Sequence, residues 1–188
     1  MMSTVDEIIN THREQMDKAL HNLKREFSNV RTGRASAASV ERINVEYYGV
    51  TTPIVQLASI KTPDAHLLVI EPWDKSILKE VEKALLASDL GITPANDGSS
   101  IRLPFPPLTE ERRKELVKLC RQIAEEAKIA VRAIRRDANS KLERLIKSES
   151  LSKDDEHRAE DRMQKLTDEH IQRIDEALKH KETEVMEV

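Results

Sequence analysis

The 188 residues carry 31 Lys and Arg against 34 Asp and Glu, a net charge of −3, with one cysteine and 3% aromatics. A chain of this length can hold one or two domains with their own cores, and a composition 35% charged favours helical rods over a bulky globular core. No apolar stretch of about eighteen residues exists to span a membrane, and the single Cys120 cannot close an internal disulfide, which suits a reducing cytosol.

The opening segment, residues 1–14, already carries acidic residues and helical periodicity, so it reads as neither a secretory signal nor a transit peptide. The first helix follows Ser3 or Thr4 as N-cap, with Glu7 placed to complete a capping box with Thr4. Its apolar stripe is Val5, Ile9, His12, Met16, Ala19, Leu23, Phe27 and Val30.

From residue 31 the pattern changes. Arg31-Thr32-Gly33-Arg34 is a joint, because glycine permits backbone angles closed to other residues. Ile43, Val45 and Tyr47 alternate with polar neighbours and form a half-buried strand that Gly49 ends. Thr51 to Ile60, with Pro53 near its start, reads as an edge strand or extended segment. Leu67 to Ile70 fits a covered strand, and Ser76 to Ser88 an amphipathic helix. Trp73, between them, is expected to pack at a domain surface or plug the helix start. Asn96-Asp97-Gly98 is a hairpin turn leading into a strand over Ser100 to Leu103. A second joint follows at Pro104-Phe105-Pro106-Pro107, where prolines forbid helix continuation.

Leu108 to Lys147 is a single long helix, starting near Thr109 with Glu110 and Glu111 where the helix dipole favours anions. Leu116, Cys120, Ile123, Ala127, Ile134, Ala138, Leu142 and Leu145 form its expected buried stripe. Lys114, Lys118, Arg121, Lys128, Arg132, Arg135 and Arg136 cluster in an arc away from that stripe. A last helix starts near Ser152, with Asp155 in the reciprocal capping position, and presents Ala159, Met163, Leu166, His170, Ile174, Ala177 and Leu178. The fold class is therefore α+β. Residues 1–30 and 106–188 make a discontinuous, elongated three-helix antiparallel bundle, into which 31–105 inserts a small β/α/β domain through two hinge strands. Thr32, Gly33, Pro104, Phe105, Pro106 and Pro107 are the hinge candidates.

Chemistry-bearing constellations are missing. The four glycines are isolated, so no phosphate-binding loop forms, and the histidines lack metal-ligand spacing. His12 and His170 read as packed edge residues, Cys120 as an inert core thiol. No catalytic residue, metal site or cofactor is expected.

Charge carries more information. Residues 109–147 hold twelve Lys and Arg against seven Asp and Glu, a net +5, whereas 148–188 hold seven against thirteen, a net −6. Lys128, Arg132 and Arg135 align on one helix face, with Arg136 to the side. Arginine forks suit phosphate oxygens, and Arg31 and Arg34 extend the basic character to the joint. Two readings stay open on the residues alone: a nucleic-acid-binding rod, or a helical adaptor whose basic face is solvated and neutralised by Glu125 and the acidic last helix.

Six ordered motifs favour the first. Arg31-Thr32-Gly33-Arg34-Ala35-Ser36, Val45-Glu46-Tyr47-Tyr48-Gly49, Gln56-Leu57-Ala58-Ser59-Ile60 and Ala87-Ser88-Asp89-Leu90-Gly91 resemble the ribosome recycling factor family. So do the runs Pro106 to Lys114 and Val131 to Asn139, and the similarity spans essentially the whole chain. The family typically has asparagine where Ala133 stands here. The resemblance implies an L-shaped, monomeric, cytoplasmic factor that is not an enzyme and makes no membrane contact. Its implied partners are the ribosome, through large-subunit ribosomal RNA, and elongation factor G, which splits the subunits with it at the expense of GTP. Carried onto matching positions, Arg31, Arg34, Arg132, Arg135 and Arg136 are the implied RNA-contacting residues, and Lys128 joins them from its place on the same face.

Overall fold

A computed structural model describes residues 4–187 and divides into two compact units, 4–31 with 110–187, and 32–109. The first unit is helical. Helix α1 (Val5–Asn29) begins at Thr4, whose hydroxyl accepts from the Glu7 N–H at 3.2 Å while the Thr4 N–H donates to Glu7 Oε2 at 2.8 Å. This reciprocal pair satisfies two donors that a helix start otherwise leaves without partners. The alternative cap, Ser3, lies outside the described residues. Helix α3 (Glu110–Ser148) runs unbroken for 39 residues, about 58 Å at ~1.5 Å per residue. Its end is a left-handed stop: Ser150 has φ 53°, and the Leu151 N–H donates to the Ile146 carbonyl at 3.0 Å. Helix α4 (Lys153–Met186) then starts from the Ser152 cap, again with a reciprocal box through Asp155. So short a link folds α4 back along α3.

The three helices bury one continuous core. Ile9, Met16, Leu23, Leu142, Met163 and Ile174 are among its fully enclosed side chains. On α3 the buried line differs from the expected stripe. Ala124 and Val131 are enclosed, whereas Ile123, Ala127 and Ile134 are half-buried at its flank. A helix wedged between two neighbours rotates so that the centre of its apolar arc faces inward, and the bulky Ile123 and Ile134 then cover the seam. The small Cys120, Ala124 and Ala138 on the enclosed line let the neighbouring helices approach.

The second unit holds a hairpin, a four-stranded sheet and one helix. Strands β1 (Asn44–Tyr47) and β2 (Val50–Pro53) pair antiparallel around Tyr48-Gly49, both at positive φ (46° and 79°), the condition for a tight primed turn. Pro53 then starts a 3₁₀ turn over Ile54–Gln56, so the extended segment expected over Thr51 to Ile60 is two strands. The chain bends there because the Ile54 N–H donates to the Ile43 carbonyl at 2.9 Å and the Ile54 side chain is fully buried. Strands β3 (Ala58–Asp64), β4 (Leu67–Pro72), β5 (Ala95–Asn96) and β6 (Ile101–Pro104) form an antiparallel sheet in the order β3-β4-β6-β5. Central β4 carries buried Leu68, Val69 and Ile70 in succession, which explains its continuous apolar run. Helix α2 (Leu78–Leu86) follows a short 3₁₀ turn capped by Asp74 and buries Leu78, Val81 and Leu85 against Val45, Ile70, Ile101 and Leu103. Trp73 stands on the surface, 69% exposed, rather than plugging the helix start.

Both chain segments leading out of this unit are tied to the β3–β4 turn. The Ala35 N–H donates to the Ala65 carbonyl at 2.8 Å, and the Phe105 N–H to the His66 carbonyl at 2.7 Å. Of the hinge candidates, Pro104 thus closes β6 and Phe105 packs against the unit's core, while Pro106 and Pro107 are exposed. Gly33 has φ 74°, and a Cβ there would meet Leu108 Cγ at 2.8 Å, so no other residue fits without a shift.

Candidate nucleic-acid interface

The basic face of α3 comes from helix periodicity: Lys128, Arg132, Arg135 and Arg136 project from a span of about 12 Å at ~1.5 Å per residue. Their exposures differ. The Lys128 side chain is 17% exposed and its Nζ lies 2.5 Å from Asp175 Oδ1 on α4, making it a staple between the helices. Arg135 is half-buried and donates from Nη1 to Gln164 Oε1 of α4 at 2.8 Å. The Arg132 side chain, 44% exposed, donates from Nη1 to Glu125 Oε1 of its own helix at 3.1 Å. Arg136 is exposed. Ile129, one turn before Arg132, is 54% exposed and gives the row an apolar ledge. Ile129 is out of step with the buried stripe of its helix, which leaves it on the surface.

Further along, Arg121 donates from Nε to Glu182 Oε1 at 2.6 Å, and this hydrogen bond to the carboxylate raises the guanidinium pKa above its ordinary value. Acidic α4 thus grips one border of the basic face, while the Arg132–Arg136 border opens to solvent. Arg31 and Arg34 are exposed at the crossing between the units, Arg31 in the helical one and Arg34 in the other.

The other polar groups of the bundle are structural. His12 Nδ1 lies 2.6 Å from the Ile8 carbonyl and Nε2 2.9 Å from Asp137 Oδ2, while His170 Nδ1 lies 2.8 Å from the Leu166 carbonyl and Nε2 2.8 Å from Asp17 Oδ1. Each buried imidazole ties its own helix to a neighbour. Cys120 is fully enclosed, and burial pushes its thiol pKa up, the condition of an unreactive thiol. Among the described residues no cluster of His, Cys, Asp and Glu could hold a metal ion, and no helix is long and apolar enough to cross a membrane.

Comparison with known proteins places this architecture. The family model described as ribosome recycling factor matches residues 23–186. A ribosome-recycling factor of Geobacillus sp. (strain WCH70) is 56% identical over 184 residues, covering 98% of this chain and all of that one. A ribosome recycling factor solved in solution superposes with a TM-score of 0.76 at 41% identity, with both chains fully covered. A second solved chain, 44% identical with a TM-score of 0.65, covers 98% of this chain and all of its own; it belongs to models of the T. thermophilus ribosome recycling factor and E. coli elongation factor G bound to the E. coli post-termination complex. Matched over nearly its whole length in sequence and in fold, the chain belongs to the ribosome recycling factor family.

Proposed function

We propose that this chain works in the cytoplasm as a ribosome recycling factor: a non-enzymatic, monomeric protein that binds the post-termination ribosome and, with elongation factor G and GTP, promotes its separation into subunits. The observation that carries this reading is the 44% identical solved chain described as bound, with elongation factor G, to a post-termination complex. The α3 face supplies a physical route. Arg132 and Arg136 offer guanidinium forks to ribosomal RNA phosphates, Arg135 and Lys128 add positive charge at the border toward α4, and Arg31 and Arg34 extend the contact near the joint. A helix of 39 residues is stiff enough to hold such contacts in register. Thr32 and Gly33 on one crossing and Pro104, Phe105, Pro106 and Pro107 on the other act as the hinge. The hydrogen bond and packing of Phe105 favour motion concentrated at Gly33 and at Pro106-Pro107.

Two measurements test the reading. Ribosome splitting should require this protein, elongation factor G and GTP together; splitting indifferent to its addition overturns the assignment. Arg132→Ala should weaken ribosome binding about tenfold, the worth of one charged hydrogen bond, and reduce the salt slope by about one. Its melting temperature should stay unchanged, since Arg132 serves no buried contact. Equal affinity across a salt series would remove Arg132 from the interface.

A further inference from the structure

The row of cations on α3 contains its own anion. Glu125 lies two turns before Arg132 on the same face, and its Oε1 accepts from Arg132 Nη1 at 3.1 Å, with the side chains 55% and 44% exposed. Among the α3 cations assigned to RNA, this arrangement is distinctive. Arg135 rests on the neutral amide of Gln164, and Lys128 is drawn into an interhelical staple with Asp175. Arg132 instead stays accessible while a carboxylate of its own helix holds its fork.

We propose that Glu125 is an internal stand-in for an RNA phosphate, which holds the Arg132 guanidinium extended and competes with phosphate for it, so that the bound state is held less tightly and released faster. The proposal rests on the reading of the α3 face as an RNA contact. A carboxylate and a phosphate present the same anionic oxygens to a planar guanidinium. An exposed ion pair is weak, so a phosphate can displace Glu125, and Glu125 can recapture Arg132 as the phosphate leaves. A factor that must leave the ribosome after each round gains from such a competitor. The effect belongs in the dissociation rate, because Arg132 changes partners at contact distance, whereas charge acting at long range alters chiefly association.

The test uses the full chain and purified bacterial 70S ribosomes, with association and dissociation rates measured across a salt series. Glu125→Gln keeps an oxygen acceptor for Arg132 and a good helix former while removing the charge. It should slow dissociation about three- to tenfold. Glu126→Gln makes the same charge change on an exposed side chain that pairs with Gln122 rather than with an arginine, and should leave dissociation unaltered. Combined with Arg132→Ala, Glu125→Gln should lose its effect. Dissociation unchanged or faster in Glu125→Gln, an equal slowing in Glu126→Gln, or a slowing that persists without Arg132 would each overturn the proposal. If Arg132→Ala costs no affinity, the α3 interface itself fails and this proposal with it; if Arg132→Ala weakens binding and Glu125→Gln is silent, the competitor alone fails.

Discussion

Gly33 shows how one position can be fixed twice over. Its φ of 74° lies where side-chain-bearing residues are strained, and a Cβ would stand 2.8 Å from Leu108 Cγ, inside any real contact distance. The obstructing atom is a branch point rather than a flexible tip, so relief requires moving the whole leucine. Gly33→Ala should therefore destabilise the smaller unit by about 1–3 kcal/mol, the usual range for strain of this kind. Denaturant unfolding of the variant measures it, and an unchanged midpoint would show that Leu108 repacks freely. The backbone freedom that position 33 needs was legible from sequence as glycine, but its dependence on Leu108, 75 positions away, was not: that approach exists only once both segments are folded.

Among the helices, what sequence showed well was local. The boxes at Thr4/Glu7 and Ser152/Asp155 each need only four residues, and both form as expected. The end of α3 offered no such cue, because a serine occupies the left-handed position where glycine is usual. Ser150→Gly should raise stability by about 0.5–1 kcal/mol by removing that strain, with an increase in melting temperature as readout; a lower melting temperature would mean that the Ser150 side chain makes a contact worth more than the strain. The split of Thr51 to Ile60 was illegible for a different reason, since the bend depends on a partner carbonyl at Ile43. For the candidate site, helix periodicity located the arginine row. The carboxylates that grip its border depend on how α4 slides against α3, and that register comes from core packing rather than from either helix alone.

Several of these local devices share one sensitivity to acid. Backbone donation from Ser99 and Ser100 holds the Asp97 carboxyl far below the usual range, the Ser152 cap lowers Asp155, and Lys141, then His12, lowers Asp137. Carboxyls whose pKa falls on folding add stability that is fully present above their unfolded pKa, near 3.8, and is lost as pH drops through the lower folded values. Melting temperature should therefore fall progressively below about pH 4 through these groups. Asp97→Asn should flatten part of that fall, and an equally steep acid limb in the variant would exclude the Asn96–Ser100 turn as a contributor.

Two separate cores make a stronger claim about the molecule. The helical unit closes on Met16, Leu142, Met163 and Ile174, and the smaller one on Leu68, Ile70, Ile101 and Leu103, each set enclosed by its own elements. Stability should then be local: removing Leu103, fully buried on β6 opposite Leu68, leaves a cavity within the sheet–helix core. Leu103→Ala should cost the smaller unit about 2–5 kcal/mol. Native-state hydrogen exchange resolves where that cost falls. Amides of β3, β4 and β6 should exchange faster by the corresponding factor, while the protected amides of α1, α3 and α4 keep their rates. Met163→Ala should produce the reverse pattern. If either substitution accelerated both sets equally, the two units would unfold as one cooperative body, and the proposed hinge at Gly33 and Pro106-Pro107 would lose its support.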